Sequence, residues 1–260
     1  MESIEFKFPD PFPKRFVAFI DVLGFSDLVY KNQHKELESY FQTVANILSD
    51  MQLNDNKIQS ISISDSIILV APEGLDGFKK IIKAVRSIQR KLLFKNIFIR
   101  GAISFGEVYF DDKLNIIVGK GYIKAYLLEK EAIFPRVIID PAIMSIMETD
   151  RVGFLKLVNA TLEFDQHKNY IFNHNNSTKI SNDAIFVDYA YTISEGKISK
   201  IITKVYSNIK KNLYSEQKLY AKYNWLRNYF LGCIEQSIAA TGDKLQNRIL
   251  VAWKTKFESL

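Results

Sequence analysis

Two aspartates stand where short apolar strands should end, and they are the residues of this sequence best placed to do chemistry. Asp21 follows the apolar run Phe16–Ile20, and Asp65 follows the alternating stretch KIQSISIS. If the two strands are neighbours in one sheet, both carboxylates lie at the same edge. Carboxylates placed in this way bind divalent cations, since Mg²⁺ favours carboxylates together with the phosphate oxygens of a substrate.

The turn VLGFS lies between Asp21 and the next predicted helix, which Ser26 would cap. Backbone N–H groups at the start of a helix bind anions, and Gly24 would let a phosphate approach closely. Two carboxylates, a glycine turn and a helix start together predict a metal–triphosphate site. The alternative is that Asp21 and Asp65 are ordinary turn residues, a common role for aspartate. The local sequence leaves both interpretations open.

Hydrophobic periodicity predicts the elements that must position these residues. Their order is β-α-β-β-α-β followed by α-β, which is the ferredoxin-like pattern, extended. The predicted fold class is therefore α+β, an antiparallel-rich sheet with helices on one face and a mainly helical C-terminal extension. The predicted elements are a strand over 15–22, a helix from Ser26 to about Met51, strands KIQSISIS and IILVAP joined at Asp65 and Ser66, a helix over 73–94, a strand or strand pair NIFIRGAISFGEVYF kinked at Gly101 and Gly106, a helix over 119–132 and a strand PRVIID.

The pattern changes after about residue 150, which divides the chain into a core over 14–150 and an extension over 151–260. The extension is polar and irregular at first and mostly helical from about 197. Apolar residues between Leu219 and Ser237 recur at steps of three and four, as on one face of a helix. This face either packs on its own domain or forms a dimer surface.

Composition narrows the class of protein. The chain has 260 residues, a formal net charge of +6 and one cysteine, Cys233. The basic balance favours anionic partners, yet the sequence has no aromatic–basic interleaving of the kind that binds RNA, so no stable nucleic acid partner is expected. A single cysteine excludes an intrachain disulfide. No signal peptide and no run near the ~20 apolar residues of a membrane span is present, so a cytoplasmic location is expected.

Other catalytic patterns are absent from the sequence. There is no Walker A motif, no G-x-S-x-G and no Ser-His-Asp set. The three histidines, His34, His167 and His174, do not have metal-ligand spacing. These absences leave the aspartate pair as the main candidate.

Four segments, in order, resemble the signatures of class III nucleotidyl cyclases. FVAFIDVLGFSDLV resembles the first, an apolar strand that leads into F-x-D-[IV]-x-G-F-[ST], and SISISDSIILV resembles the second, with Ser64 where glycine is usual. IRGAISFGEVYF is similar to the third, and VGKGYIKAYLLEKEA lies where the family has a helix of pattern G-D-x-V-N-x-A-x-R-L-E. The separation of Asp21 and Asp65, 44 residues, also matches. The resemblance covers about residues 14–150.

The resemblance implies an enzyme that cyclises a nucleoside triphosphate and releases pyrophosphate. It implies two divalent cations, Mg²⁺ or Mn²⁺, as cofactors, and a homodimer with sites at the protomer interface. The metal ligands would be Asp21, Asp65 and the carbonyl of Val22. The amides that receive the β- and γ-phosphates would belong to Leu23, Gly24, Phe25 and Ser26.

The fourth segment departs from the family pattern. The family's transition-state Asn and Arg fall on Ile123 and Leu127, which cannot stabilise a phosphorane. Its purine-reading Lys and Asp fall on Ile61 and Lys120. Lys120 is a donor where adenine N6 requires an acceptor, which argues against ATP.

Three cations are candidates to replace the missing groups. Lys120 and Lys124 are four residues apart, hence on one helical face, and could supply charge to the triphosphate. Arg100 is the third. The alternatives are a solvated face for the two lysines and a structural role for Arg100.

One subgroup resembles this sequence where it departs from the class III pattern, namely the pyrimidine cyclases of bacterial Pycsar antiphage systems. The resemblance rests on GYIKAYLLE, on the F-x-D-x-L-G-F-S form of the first motif and on the helical extension. It implies UTP or CTP as substrate and cUMP or cCMP as a signal to a separate effector. Donors on the strand before Asp65 suit uracil slightly better than cytosine, and the candidates are Lys57, Ser60 and Ser62.

Two other functions stay open. A degenerate cyclase-fold sensor would bind a nucleotide without turnover, which the missing Asn and Arg favour. A purine nucleotide cyclase is the second.

Overall fold

A computed structural model describes residues 7–54, 58–147, 149–159, 171–172, 184–190 and 198–260 of the chain. The strands are β1 (Lys14–Val22), β2 (Gln59–Ile63), β3 (Ser66–Pro72), β4 (Ile99–Glu107), β5 (Tyr109–Asp111), β6 (Ile116–Val118) and β7 (Val137–Ile139). The helices are α1 (Phe25–Tyr30), α2 (His34–Asn54), α3 (Gly74–Leu93), α4 (Lys120–Ala132), α5 (Ala142–Ile146), α6 (Arg151–Asn159), α7 (Ile198–Asn212), α8 (Gln217–Ala240) and α9 (Lys244–Glu258).

The central sheet has five strands in the order β2-β3-β1-β4-β7. The pairs β2–β3, β3–β1 and β1–β4 are antiparallel, and β7 adds a parallel strand beside β4. The first four strands thus have the arrangement of a ferredoxin-like unit, and the predicted α+β fold class is confirmed. A separate hairpin of β5 and β6 precedes α4.

Helices cover both faces of this sheet. Phe16 on β1 packs against Phe78 of α3, on the face that α2 and α3 cover. Val17 and Phe19 face the other way and share a cluster with Ala125 of α4. The sequence-based description had helices on one face. The run Phe16–Ile20 has no polar alternation, so both of its faces need an apolar cover.

The close approach of α4 to β4 depends on two glycines. A Cβ built on Gly106 would lie 3.1 Å from the Cα of Gly121, and Ser104 donates a hydrogen bond to the Gly121 carbonyl at 2.6 Å. Gly101 and Gly106 both lie inside a continuous β4, so they do not kink the strand as the sequence suggested. At Gly101 the cause is again close approach, because a Cβ there would lie 2.4 Å from the Phe19 carbonyl oxygen.

The chain between β1 and β2 departs from the single predicted helix. Two helices form, and they are separated at residues 31–33, where Asn32 has φ +52°. Gly24, with φ +82°, stands at the N-cap of α1, while Ser26 lies inside that helix. Glycine and asparagine adopt positive φ at the lowest cost, which explains both boundaries.

The β2–β3 turn also differs by one residue from the prediction. Ile63 pairs with Ser66, so the two turn residues are Ser64 and Asp65. Ser64 has φ +55°, a conformation in which glycine is preferred. Asp65 therefore lies at the tip of a tight hairpin that ends beside β1.

The C-terminal helices pack on the same chain. Leu226, Phe230 and Cys233 of α8 are buried in a cluster that includes Ala102 and Ile138 of the sheet. This favours packing on the chain's own core over a dimer surface for α8. None of the described helices is long and apolar enough to cross a membrane.

A buried polar network fixes α8 in place. The Tyr229 hydroxyl donates to Asp188 Oδ1 at 2.6 Å and accepts from the amides of Tyr189 and Ala190 at 2.9 and 2.8 Å. Burial raises the pKa of the Asp188 carboxyl. Because these groups satisfy one another away from water, they define one position of α8 against segment 184–190.

Candidate functional site

A cavity of about 740 Å³ opens at the end of the sheet where β1 ends. Asp21, Asp65 and Arg100 line it, together with the loop that runs from Val22 to Leu28. The sheet explains this grouping, because Asp21 pairs with Ser66 of β3 on one side and with Arg100 of β4 on the other. The two aspartates are thus brought together as the sequence predicted, while their role as metal ligands stays a prediction.

The environment of Asp21 raises the pKa of its carboxyl to about 6. Burial is the largest cause, and the negative charges of Asp65 and Glu129 add to it, whereas Arg100 acts in the opposite direction. Carboxylates that repel each other across a partly dry cavity are stabilised by a cation between them.

The donor set fits a divalent cation that binds together with phosphate. Among the described residues, no group of three or more His, Cys, Asp or Glu side chains is arranged to hold a metal. Mg²⁺ does not require one, because it usually takes one or two carboxylates and completes its shell with water and substrate phosphates. Asp21 and Asp65 supply such a pair, and Val22 lines the same cavity.

Arg100 is held between two acids. Its Nη2 lies 3.3 Å from Asp21 Oδ2, and its Nε lies 2.5 Å from Glu129 Oε1. Glu129 comes from α4 and is only 4% exposed. Arg100 thus lines the cavity beside Asp21, while its catalytic role stays a prediction. Glu129 was not among the predicted site residues, although a buried acid within the LLE stretch of α4 was a usable signal.

Tyr40 is a second residue that the sequence did not reveal. Its hydroxyl donates to the Ser64 carbonyl at 3.5 Å, and its side chain is fully buried. Burial, followed by the charges of Asp65 and Asp21, raises the pKa of the Tyr40 hydroxyl. Tyr40 thus supports the turn that carries Asp65. In the sequence it is one more apolar-face residue of a helix, with no motif around it.

The loop after β1 supplies fewer free amides than predicted. The Leu23 amide donates to the Phe98 carbonyl at 2.9 Å, so it is not available to a phosphate. Gly24 and Ser26 are exposed, and the side chain of Phe25 is buried. No side chain caps the first turn of α1. Amides at a helix start have no acceptor within the helix, so Gly24, Phe25 and Ser26 remain the candidate phosphate donors.

The two lysines of α4 lie away from the acids of the same chain. Lys120 Nζ is 3.0 Å from Glu107 Oε2, at the far end of β4 from Arg100. Arg100 and Glu107 are seven positions apart along the strand, a distance of roughly 23 Å. One protomer therefore does not bring Lys120 to Asp21.

Lys124 has a structural partner. Its Nζ lies 2.5 Å from Asp140 Oδ2, and the Asp140 side chain is 5% exposed. The other oxygen of Asp140 accepts from the Ala142 amide at 3.1 Å, next to the start of α5. A catalytic role for Lys124 would require breaking this ion pair.

The predicted base-binding residues are not brought to the cavity. Ser60 pairs with Leu69 and Ser62 pairs with Ile67, and both partners belong to the core beneath α2 and α3. Asp21 is on the opposite face of the sheet, since it alternates with Ile20 of that core. Lys57 lies outside the described residues. Ile61 faces the Asp21 side but is buried in an apolar cluster.

The outer face of α4 is apolar and exposed. Ile123 is 55% exposed and Leu127 is 54% exposed, and Tyr126 lies beside them at 41%. These are the positions that the resemblance to cyclases assigns to the protomer interface.

Solved structures of nucleotide cyclases are similar to part of this chain. The adenylyl cyclase CyaB from P. aeruginosa is 17% identical, with a TM-score of 0.41 over 52% of this chain and 80% of that chain. The guanylyl cyclase domain of a RhoGC fusion protein from the fungus Blastocladiella emersonii is 17% identical, with a TM-score of 0.42 over 54% and 86%. A bacterial light-regulated adenylyl cyclase is 16% identical, with a TM-score of 0.42 over 75% and 99%.

No family model matches the chain. No curated protein matches it either.

Proposed function

We propose that this protein is a nucleotidyl cyclase that converts a nucleoside triphosphate to its 3′,5′-cyclic monophosphate and pyrophosphate. The observation that carries the proposal is the cavity in which Asp21, Asp65 and Arg100 meet an uncapped glycine turn. Paired carboxylates suit cations, and free amides suit phosphate, so the two halves of the cavity fit the two parts of a metal–triphosphate.

Asp21, Asp65 and the Val22 carbonyl would hold two divalent cations, Mg²⁺ or Mn²⁺. When bound, such cations lower the pKa of a hydroxyl nucleophile and neutralise a leaving pyrophosphate. The chain's own groups orient the substrate. The amides of Gly24, Phe25 and Ser26 would donate to the terminal phosphates, and Arg100 would leave Asp21 to donate to a phosphate oxygen.

The proposed substrate is a pyrimidine nucleotide, UTP in preference to CTP, and the cyclic product would signal to a separate effector in antiphage defence. The burial of Ile61 and the ion pair of Lys120 with Glu107 support this choice against purines. Neither side chain can supply the hydrogen-bond partners that the edge of a purine base requires. The antiphage role is supported by the resemblance of GYIKAYLLE and of the first motif to the Pycsar cyclases.

A nucleotide-binding sensor without turnover is the second candidate. Ile123 and Leu127 stand where cyclases have their transition-state Asn and Arg. In addition, Arg100 is engaged by Asp21 and Glu129, as a structural arginine would be. A sensor would bind nucleotide and release no pyrophosphate.

One assay separates these functions. The protein is incubated with all four nucleoside triphosphates at equal concentration in Mn²⁺, and the cyclic products are resolved by mass. We expect cUMP to predominate. We also expect Asp21→Asn and Asp65→Asn each to lower turnover at least about a hundredfold, since several kcal/mol of charge stabilisation are lost.

Asp76→Asn is the matched control, because Asp76 is an exposed acid of α3 that pairs with Lys80. Predominant cAMP or cGMP would overturn the pyrimidine assignment, and predominant cCMP would overturn only the preference for uracil. Nucleotide binding with no cyclic product would favour the sensor.

A further inference from the structure

The C-terminal extension forms one wall of the cavity that contains the two aspartates. Ser215, which precedes α8, lines the cavity, as do Leu219, Lys222 and Tyr223 of that helix. Every residue assigned to the site so far comes from the core, at or before residue 129. The extension wall has no role in the function proposed above.

Lys222 is the residue of this wall with the clearest chemistry. Three cations line the cavity, namely Lys31, Arg100 and Lys222. Arg100 is held by two acids, and Lys31 is an exposed residue 3.8 Å from Asp27. Lys222 is half-buried, and within the part of the chain that the structure describes it has no ion-pair partner. A half-buried ammonium that faces a cavity is suited to bind an anion there.

Tyr223 links Lys222 to the loop after β1. Its ring packs edge-on against Phe98, with the ring centroids 6.4 Å apart. The Phe98 carbonyl in turn accepts from the Leu23 amide. Burial raises the pKa of the Tyr223 hydroxyl. The loop after β1 and the first half of α8 are thus held by one contact chain.

The rest of α8 is fixed one and two turns further on. The ring of Trp225 stacks on Phe134 with centroids 5.6 Å apart and planes at 4°. Tyr229 is bonded to Asp188 in the buried network. A helix anchored in this way loses little backbone freedom when a ligand arrives, which favours binding.

We propose that Lys222 binds the polyphosphate chain of the substrate from the same protomer, with Tyr223 as the residue that positions it. The inference rests on the proposed function only in that the polyphosphate belongs to a nucleoside triphosphate. It gives the extension a part in the site, namely to supply a cation where Lys120 of the same chain cannot reach.

The first test uses calorimetry to measure the equilibrium binding of inorganic tripolyphosphate in the presence of Mg²⁺. The variants are Lys222→Gln and Lys222→Arg, and the matched control is Arg227→Gln, a cation of the same helix that does not line the cavity. We expect Lys222→Gln to weaken binding about tenfold or more, because a charge-assisted hydrogen bond is lost. Lys222→Arg should retain most of the affinity, and Arg227→Gln should match the wild type.

The second test measures the KM for UTP and for CTP from the rate of pyrophosphate release. We expect Lys222→Gln to raise the KM by a similar factor. Unchanged tripolyphosphate affinity in Lys222→Gln, or no binding of tripolyphosphate to the wild type, overturns the inference even if the wild type makes cyclic nucleotide. If tripolyphosphate binds through Lys222 but no nucleotide is cyclised, the inference stands and the proposed function fails. A urea midpoint for each variant separates lost binding from lost folding.

Discussion

The two ends of helix α4 differ in charge and in what they contact. At its C-terminal end, Glu129 holds Arg100 beside Asp21 and the cavity. At its N-terminal end, Lys120 and Lys124 extend from the helix, and the face between the ends exposes Ile123 and Leu127. One protomer therefore has the acids of the cavity near the C-terminal end of α4, here called the acid end, and Lys120 and Lys124 toward its N-terminal end, here called the cation end.

This difference shows what a second copy would supply. In a two-fold dimer the same surface meets itself, and two α4 helices that cross antiparallel bring unlike ends together. The Lys120 end of one protomer would then lie near the acid end of its partner. The apolar face around Ile123 would be the contact between them, in keeping with the homodimer that the resemblance to cyclases implies.

Mixing two variants tests most directly whether the two ends of α4 act together across protomers. Asp21→Asn removes the part of the site that comes from the acid end, and Lys120→Gln removes the part that comes from the cation end. We expect Lys120→Gln alone to lower activity about tenfold or more. If the halves act across protomers, mixed dimers contain one intact site. A random mixture should then recover about a quarter of wild-type activity, since half of the dimers are mixed and each has one good site of two.

Two controls sharpen this experiment. A mixture of Asp21→Asn with Asp65→Asn should not recover, because both changes lie in the same half. Ile123→Glu in both chains should abolish recovery and yield monomers in sedimentation, whereas Leu245→Glu, at a residue 68% exposed on α9, should not. Mixed dimers that form without recovered activity would contradict action across the interface.

Local patterns predicted the acid end of α4 better than the cation end. The pair Asp21 and Asp65 follows from two strand ends and a hairpin, each of which shows in its own short stretch of sequence. The helices α3 and α4 follow from apolar spacing and confirm the predicted bounds to within one residue. These features depend on short-range physics, which a sequence displays directly.

The errors arose where long-range packing decides. Strand alternation places Ser60 and Ser62 on one face, but only the pairing of β2 with β3 shows that this face is turned away from Asp21. The break between α1 and α2 has a local cause instead, a positive φ at Asn32 that apolar spacing does not display. The wall formed by Lys222 needs contacts between residues about 200 positions apart, for which no motif exists.

The cation end offers a contrast of its own, because its two lysines are not equivalent. Lys124→Met should lower the free energy of unfolding by about 3 kcal/mol, since it leaves Asp140 charged and buried without its partner. Lys120→Met should change it by no more than about 0.5 kcal/mol, because Lys120 is 86% exposed in a surface ion pair.

Urea unfolding at pH 7.5 measures both changes. The double variant Lys124→Met with Asp140→Leu is the control, and it should recover much of the loss by removing the buried charge. Equal effects of the two single variants would mean that Lys124 is as free for catalysis as Lys120.

Asp21, near the acid end of α4, should make the free energy of unfolding depend on pH. The folded protein raises the pKa of Asp21 from 3.8 to about 6. Between these values the folded state binds more protons than the unfolded state, so the free energy of unfolding falls as the pH rises from about 4 to about 6. Asp21→Asn mimics the protonated carboxyl and removes this fall. We therefore expect the variant to match the wild type near pH 4 and to exceed it by about 2 kcal/mol at pH 7.5, a figure reduced for partial solvent exposure.

Urea unfolding in EDTA across this pH range tests the expectation, with Asp76→Asn as the surface control. Added Mg²⁺ or Mn²⁺ should stabilise the wild type at pH 7.5, because a cation between Asp21 and Asp65 offsets the burial of the Asp21 carboxylate and the repulsion by Asp65 that together raise its pKa. The same cation should leave Asp21→Asn nearly unchanged. A variant less stable than the wild type at pH 7.5 in EDTA would mean that the ion pair with Arg100 outweighs burial. Equal cation stabilisation of both proteins would move the metal site away from Asp21.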